Sequence, residues 1–279
     1  MTKLDDCLVD AILKHKTKRA KYIIDLKADV TRGWVNGHSS LSAGSVVGDR
    51  EIVEKILENI KDDDEKRSFV NKRTGFGRTA ISYAKNAEIV EILVQNGANP
   101  YIEDNEHVNA FFWHAHQRRD DSLNALVRLG FDINELNSMG NTMLIEALQY
   151  PGDVGVIERL LEHGADANAK NKKGKTALMR LAEGNYNVQK IVRLLLKYNA
   201  DVNVEDDTLT TAIECAGNFG NFELARVLIE HGAKEHNSLG HSIYSFGMKE
   251  SHALEVMRMF EENRRKIKSK VSMQSDFCF

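Results

Sequence analysis

The chain of 279 residues contains very little proline and cysteine, and both scarcities narrow the choice of fold. Its 2 prolines leave little room for proline-rich linkers or for an architecture of many tight turns, so long helical stretches are expected. The 3 cysteines (Cys7, Cys215 and Cys278) are an odd number and stand far apart in the sequence. A disulfide scaffold is therefore not expected, and a reducing compartment such as the cytoplasm is favoured.

A strong excess of charge and a long apolar run are also missing. The formal net charge of −3 provides no general attraction to nucleic acid or to an anionic membrane. No run approaches the roughly 20 apolar residues of a membrane-spanning helix, and the first residues, MTKLDDCLVD, carry too many acids for a secretory signal. With 42% hydrophobic and 28% charged residues, the composition predicts a soluble globular protein.

The short motif Gly174-Lys175-Thr176 invites the hypothesis of a nucleotide-binding loop. Such a loop needs a second glycine, separated from the Gly-Lys pair by four residues, and that position is Ala169. It also needs a preceding β-strand, whereas the apolar residues between 156 and 163 have helical spacing and are followed by Gly164. The motif therefore does not indicate a phosphate site.

The same stretch recurs along the chain with a period of 33 to 35 residues. An apolar helical segment ends each time in a glycine-like residue and an alanine, with Phe131 in the equivalent place once; the alanines are Ala98, Ala165, Ala200 and Ala233. A second signal precedes each segment, as in GRTAISYA (77–84), GNTMLIEA (140–147), GKTALMRL (174–181) and LTTAIECA (209–216). Two linked signals with one period indicate a chain of repeated structural units.

This pattern resembles the ankyrin repeat over roughly residues 4 to 263. The resemblance implies an all-α solenoid of about eight stacked helix-turn-helix repeats, forming a single domain over residues 1–263. Capping repeats are expected at about 4–30 and 239–263, followed by a basic, flexible tail over residues 264–279. Gly174 and Thr176 then belong to one repeat, and Lys175 is a variable residue between them.

Several positions depart from the ankyrin pattern. The proline that follows the family's threonine is absent from every repeat, and its histidine is replaced, for example by Met179 and Glu214. We expect these changes to remove a hydrogen bond from the hairpin. The acidic stretch 61–67 lengthens one junction, and the third repeat lacks three residues between Ala84 and Glu88. In the loops, Asn168 and Asn203 are expected to bond their own backbone.

No set of residues has the spacing of a catalytic or metal site. His114 and His116 are two residues apart and point to different sides of a helix, and no cysteine pair accompanies them. Cys215 is expected to be a small buried side chain rather than a nucleophile. We therefore predict a protein that is not an enzyme and that uses no metal and no cofactor.

Surface positions instead suggest a binding module for another protein. One column of the first helices varies widely in chemistry (Ala43, Tyr83, Trp113, Glu146, Arg180 and Cys215), which predicts a solvent-facing position in a concave groove. The predicted groove contacts are Tyr83, Trp113, His116, Gln117, Tyr150, Arg180, Glu183, Asn218 and Phe219. The predicted loop-tip contacts are Phe76, Arg78, Lys172, Lys173 and Lys175. The alternative, that the aromatic residues pack inward, stays open at this point.

The partner is expected to be a protein, not nucleic acid or an integral membrane, and the chain is expected to be monomeric. The loop tips alternate in sign, whereas nucleic acid requires one continuous basic stripe. Three alternatives remain: a bacterial effector delivered into a host cell, guided by its C-terminal tail, a toxin-neutralising partner, and the accessory binding part of an enzyme.

Overall fold

The computed structural model describes residues 3–149, 154–184, 188–236, 238–239, 242 and 248–275. Within these residues the regular secondary structure is helical except for one short antiparallel hairpin, so the predicted all-α repeat fold is confirmed. None of the helices in the described part of the chain has the length and apolar character that crossing a lipid bilayer requires.

By its internal contacts the chain divides into two compact bodies. The single domain expected over residues 1–263 stays a prediction. The N-terminal body comprises Met1–Met143 with Glu162–Gly164, and the C-terminal body comprises Leu144–Leu161 with Ala165–Phe279. The elements of the first are α1 (Lys3–Leu13), α2 (Thr17–Asp25), β1 (Trp34–Val35), β2 (His38–Ser39), α3 (Ser40–Val47), α4 (Arg50–Glu58), α5 (Asp63–Val70), α6 (Ala80–Tyr83), α7 (Ala87–Gln95), α8 (Ala110–His116) and α9 (Asp120–Arg128). Strands β1 and β2 pair Trp34 with Ser39 and Val35 with His38.

The C-terminal body continues the alternation of short first helices and longer second helices. Its elements are α10 (Met143–Ala147, which begins at the junction), α11 (Val154–Glu162), α12 (Ala177–Ala182), α13 (Val188–Lys197), α14 (Ala212–Phe219), α15 (Phe222–Glu230) and α16 (Glu250–Ser275). Apart from α5 and α16, these helices form seven consecutive pairs within the described residues, one pair per repeat.

The sequence of the second helices explains why they form and what they bury. In α4, Ile52, Val53, Ile56 and Leu57 lie on one face and are buried, and the Asp49 carboxylate caps the helix by accepting from the Ile52 N–H at 3.2 Å. Other second helices repeat this arrangement. Burying one such side chain contributes about 1.5–3 kcal/mol, and within each body that burial requires the helices of the next repeat.

In the described residues, the repeats whose first helices are α3, α6, α8, α10, α12 and α14 each have a hairpin with a left-handed residue at its tip. In the sixth repeat the Asn171 N–H donates to the Lys175 carbonyl and the Gly174 N–H to the Asn171 carbonyl, both at 2.9 Å, with Gly174 at φ +73°. The seventh repeat has the same turn, but Leu209 occupies the left-handed position at φ +63°. A side chain there is strained, because its Cβ crowds the backbone.

Replacing Leu209 by glycine is expected to stabilise the protein. Removing the Cβ relieves the left-handed strain, and we expect the free energy of unfolding to rise by about 0.5–1 kcal/mol. The measurement is urea unfolding followed by circular dichroism. The matched control is Gly174→Ala, which places a Cβ 2.6 Å from the Asp207 backbone nitrogen and should destabilise the protein. A Leu209→Gly protein that is less stable than the unmodified chain would contradict this assignment.

Threonines at the starts of the first helices show the effect of the missing histidine. The Thr79 and Thr176 hydroxyls are buried and have no hydrogen-bond partner in the part of the chain that the structure describes. In the seventh repeat, Glu214 stands in the histidine's place and accepts from both the Thr211 N–H, at 2.7 Å, and the Thr211 hydroxyl, at 3.0 Å. One repeat therefore restores with a carboxylate the hairpin contact that Thr79 and Thr176 lack.

The loop asparagines link neighbouring repeats, which corrects the expectation that they bond their own backbone. The Asn168 side chain donates to the Asn199 carbonyl at 2.9 Å and accepts from the Asp201 N–H at 2.7 Å. Asn203 makes the same two contacts with Gly232 and Lys234. The aspartates, not the asparagines, close the local turns, as when the Asp166 carboxylate accepts from the Asn168 N–H at 2.8 Å.

The shortened third repeat is completed by the fourth. Helix α6 has only four residues, so no following helical turn supplies N–H groups to its last carbonyls. The Arg119 guanidinium, at the start of α9, donates to the Tyr83 carbonyl at 2.7 Å and to the Ala84 carbonyl at 3.0 Å. A half-buried arginine of the next repeat therefore replaces the deleted residues as the cap of this helix.

Burial keeps the His114 imidazole in its neutral form far below the pH at which a histidine normally takes up a proton. His114 is fully buried in α8, and neither ring nitrogen has a well-oriented hydrogen-bond partner. Burial, reinforced by the charge of Arg119, lowers the pKa of His114 from 6.5 to about 3, and a contact with the Ile81 backbone offsets this only in part.

This buried histidine predicts a specific loss of stability in acid. Below pH 6.5 the unfolded chain protonates His114 while the folded chain does not, so stability falls as the pH drops from about 6.5 towards 3. The slope for this residue is up to about 1.4 kcal/mol per pH unit. Urea unfolding at pH 7, 6, 5 and 4.5 should show that His114→Leu removes this part of the slope. Parallel curves for the two proteins would show that His114 does not titrate in this way.

Two sequence-based boundaries need correction. The acidic stretch after α4 is not only a longer junction, because residues 63–70 form helix α5, capped by Asp62. At the other end, α16 runs through residue 263 to Ser275, so residues 264–275 are helical where a flexible tail was predicted. Residues 276–279 of that predicted tail, including Cys278, lie outside the described residues.

Candidate functional site

The column of first-helix residues that was predicted to face solvent is mostly buried. Ala43, Glu146 and Cys215 are buried, and only 7% of Tyr83 and 9% of Trp113 is exposed, whereas Arg180 is half-buried. For the two aromatic residues the reason is that the hairpin of their own repeat folds over them: the Tyr83 hydroxyl lies 3.3 Å from the Thr74 hydroxyl, and the Trp113 Nε1 donates to Asp104 at 2.9 Å. The predicted exposure of Tyr83 and Trp113 is therefore wrong.

Arg78, predicted as a loop-tip contact, lies instead at the centre of an aromatic cluster in the N-terminal body. Its guanidinium carbon lies 3.2 Å from the centre of the Trp113 ring and within 6 Å of the Phe76 and Tyr83 rings. Asp104 completes the cluster, since its buried carboxylate accepts from the Arg78 Nε at 3.2 Å and from the Trp113 Nε1 at 2.9 Å.

The remaining predicted contacts of the N-terminal body keep part of their surface. Phe76 is 55% exposed at its hairpin tip, and His116 is exposed at the end of α8, with its ring 5.4 Å from that of Trp113. Gln117 follows as the half-buried C-cap of the same helix. Tyr150, the third member of the predicted aromatic stripe, lies outside the described residues.

In the C-terminal body, predicted groove and loop-tip residues meet around one open depression of about 480 Å³. We call it the tip depression and define it by the residues that line it: Lys172, Lys173, Lys175, Asp206, Asp207, Thr208, Thr210, Cys215, Asn218 and Phe219. Two successive hairpin tips form its rim, joined where the Asp207 N–H donates to the Lys173 carbonyl at 3.3 Å. Phe219 is 56% exposed at the end of α14.

A network of three charged residues extends from this depression along α12. Lys175 donates to one oxygen of Glu183 at 2.9 Å, and Arg180 donates to the other at 2.7 Å. The hydrogen bond with Glu183 raises the pKa of Lys175 above its usual value. Lys175 is thus not a free side chain at the tip, because Glu183 holds it at the edge of the depression.

The floor of the tip depression is not suited to nucleophilic chemistry. Burial raises the pKa of the Cys215 thiol to about 12, so the thiol stays protonated and unreactive near neutral pH. Burial also raises the pKa of the neighbouring Glu214, whose carboxylate caps α14. Within the described ranges, no group of three or more His, Cys, Asp or Glu side chains is arranged to hold a metal ion.

Comparison with known proteins identifies the repeats. The family model described as ankyrin repeats (3 copies) matches residues 78–171 and 144–238, which together span more than half of the chain. The chain belongs to the ankyrin-repeat family. Repeat domains of this family are in general protein-protein interaction modules, and the hairpins and helix pairs above are the parts of such repeats.

Individual relatives agree with the family assignment. The chain is 28% identical to the nuclear factor NF-kappa-B p105 subunit of Gallus gallus over 72% of its own length and 21% of that protein. It is 31% identical to ankyrin repeat and SOCS box protein 6 of Homo sapiens over 54% of its own length and 42% of that protein. The chain therefore spans less than half the length of these two relatives.

A solved structure supports the fold. The ankyrin repeat domain of Bcl-3, a member of the IkappaB protein family, superposes with a TM-score of 0.60 over 80% of this chain and 100% of that one. The sequence identity is 24%, so this likeness concerns the fold alone.

Two features of these sites were not identified from the sequence. Asp104 anchors the Arg78 cluster although it belongs to no ankyrin motif, and its role depends on a fold that brings it to Trp113. The sequence showed Asp206 and Asp207 only as part of an acidic loop tip that follows a basic one. The contact between Asp207 and Lys173 arises because successive hairpins stack. The repeat period alone would have been enough to predict this stacking.

Removing the Arg78 side chain is expected to lower the stability of the protein substantially. Arg78→Ala leaves the buried Asp104 carboxylate without its cation, so the free energy of unfolding should fall by roughly 2–4 kcal/mol. Arg78→Lys keeps the charge but cannot stack flat on Trp113, and should have an intermediate effect. Chemical denaturation measures both. Lys172→Ala, a change at an exposed tip, is the control and should cost less than 0.5 kcal/mol; an equal loss in Arg78→Ala and Lys172→Ala would refute the central role of Arg78.

Proposed function

We propose that this chain is a non-enzymatic interaction module that binds another protein through the tip depression of its C-terminal body. The observation that carries the proposal is that Phe219 is exposed next to the lysines and aspartates that line the same depression. An aromatic ring that is more than half exposed at the edge of a concave surface is suited to fill a pocket or pack on an apolar side chain of a partner.

The charges of the tip depression favour a protein partner over nucleic acid. Lys172 and Lys173 are exposed on one hairpin tip, and the exposed Asp207 lies on the next tip, where its N–H donates to the Lys173 carbonyl. A carboxylate on the same rim repels phosphate groups, so the surface lacks the continuous basic stripe that a nucleic-acid backbone requires. A protein segment with charges of both signs around an apolar residue is the complementary ligand.

Preorganised side chains support the same proposal. The Lys175–Glu183–Arg180 network holds three long side chains in place before a partner arrives. Binding then costs less side-chain entropy, which is about 0.5–1.5 kcal/mol for each long side chain that would otherwise be immobilised. Glu183 and Arg180 thus contribute to binding as the support of Lys175 as well as through their own half-exposed atoms.

A second contact region is proposed in the N-terminal body. There the exposed Phe76 projects from its hairpin tip, and the exposed His116 and half-buried Gln117 stand at the end of α8. Tyr83, Trp113 and Arg78 support this region from beneath, because the Arg78 guanidinium packs between their rings. We therefore assign partner contact to Phe76, His116 and Gln117, and a supporting role to the buried aromatic residues.

The binding experiment uses partners identified by affinity purification of the tagged full-length chain from its native cell. Phe219→Ala is expected to weaken binding of the authentic partner at least tenfold in isothermal titration calorimetry, since an exposed aromatic anchor carries more than about 1.4 kcal/mol. The double change Lys172→Glu/Lys173→Glu should also weaken binding, and its effect should shrink at high salt.

Matched control variants make the same kinds of substitution at exposed positions outside the tip depression. Tyr22→Ala removes an equally exposed aromatic ring from α2, and Lys16→Glu/Lys18→Glu reverses two exposed charges near the N-terminus. Both should bind like the unmodified chain. Circular dichroism must show that all variants keep their helices. Full binding by the folded Phe219→Ala protein, or equal losses in the controls, would refute the tip depression as the contact surface.

A further inference from the structure

Helix α16 packs on the preceding repeat through buried side chains of its N-terminal half, namely Val256, Met259 and Phe260. Gly217 of α14 leaves room for Met248, which lies just before α16, since a Cβ at Gly217 would lie 2.2 Å from the Met248 side chain. Further along the helix, Arg264 donates to both oxygens of Glu235 at 3.0 and 3.2 Å.

The opposite face of α16 carries exposed apolar side chains. Leu254 is 59% exposed and Met257 is 42% exposed, and they lie three residues apart, on one side of the helix. Glu261, Arg265 and Lys268 continue this side towards the C-terminus, since helical spacing returns to it at every third or fourth residue, and all three are exposed. Glu261 lies 3.7 Å from Arg265, so these two charges offset each other. We call these five residues the α16 outer face; from Leu254 to Lys268 it is about 21 Å long.

The second half of α16 is strongly basic and only partly neutralised. Residues 264–270 include five cations, no acid, and no buried position. Arg264 is paired with Glu235, and Arg265 lies 3.7 Å from Glu261. Lys266, Lys268 and Lys270 have no acidic group within 4 Å among the described residues. Lys266 and Lys270 also repel each other across one helical turn.

We propose that the α16 outer face is a docking surface for an acidic amphipathic helix of another protein. The apolar side chains of that helix would cover Leu254 and Met257, and its carboxylates would pair with Lys268, the cation of this face that no acidic side chain of the described residues neutralises. Such a ligand buries the exposed apolar surface and neutralises the lysines at the same time. The proposal concerns a different surface from the tip depression and does not depend on it.

Other occupants fit the surface less well. A second copy of the chain would bring a basic face against a basic face, and its acidic helix α5 has its apolar residues, Phe69 and Val70, already buried. A lipid-surface helix presents one continuous apolar face, whereas on α16 the exposed Glu261 interrupts the side of Leu254 and Met257, and the exposed Ile267 lies on a different side by helical spacing. Nucleic acid would match the cations but would leave Leu254 and Met257 exposed.

The test is a selection for binding to the full-length protein from a displayed library of 20-residue helices with randomised surface positions. A counter-selection with the variant Leu254→Ser/Met257→Ser/Lys268→Glu removes helices that bind elsewhere. The proposal expects the surviving helices to be acidic, with two apolar residues at i, i+3 or i, i+4 spacing. Survivors without excess acidic residues, or no survivors above background, would overturn it.

Affinity measurements on one surviving peptide then separate the two kinds of contact. By fluorescence anisotropy, Leu254→Ser/Met257→Ser should weaken binding at least tenfold at any salt concentration. Lys268→Glu/Lys270→Glu should weaken it mainly at low salt. Lys172→Glu/Lys173→Glu and Phe219→Ala, which alter the tip depression, should bind normally and thereby keep this test distinct from that of the proposed function.

Three further probes cover the other occupants. These are vesicles of phosphatidylcholine with 25% phosphatidylserine, a 20-nucleotide oligothymidylate, and the protein itself over a range of concentrations in light scattering. The proposal expects weak, salt-sensitive binding to the first two and no dimer that depends on Leu254 and Met257. Tighter binding to vesicles or oligonucleotide than to the peptide, or a dimer abolished by Leu254→Ser/Met257→Ser, would overturn it.

Discussion

Every repeat of this chain has an apolar helix face that only a neighbouring repeat can cover. A single pair of helices has too few residues for a core of its own, so stability comes from contacts between neighbours as much as from within a repeat. The side chains that cross from one repeat to the next reflect this dependence. Asn168 and Asn203 tie one loop to the following one, and the tip of one hairpin rests on the next where Asp207 meets Lys173.

This constraint explains why the architecture was predictable from the sequence. A side chain that must meet its equivalent in the next repeat recurs at a fixed distance along the chain, and a period of 33 to 35 residues is visible without any structure. The ends of the second helices were also predictable, since a glycine such as Gly164 follows them. The end of the solenoid was not, because α16 continues as a helix beyond the repeat pattern, where the period gives no guidance.

The candidate site was only partly predictable, for a reason of geometry. Variation in residue type along the first helices was interpreted as exposure, but Tyr83 and Trp113 are buried because the hairpins fold back over them. A buried position varies here because each hairpin offers it a different partner: Thr74 for Tyr83, Asp104 for Trp113. Residues one turn further on, Asn218 and Phe219, lie past the hairpin and are exposed as expected. Whether a first-helix residue is exposed thus depends on how far along the helix the hairpin extends. The residue type at one position does not reveal this.

The pairing of Arg119 with the end of α6 has a consequence for how the N-terminal body unfolds. A four-residue helix has almost no stability of its own, so the third repeat contributes little intrinsic free energy and relies on the interface with the fourth. In a chain of nearest-neighbour interactions, a weak repeat joined by a strong interface does not open independently. Native-state hydrogen exchange would therefore register the third and fourth repeats as one cooperative segment, with α6 amides protected to the same degree as those of α8 and α9.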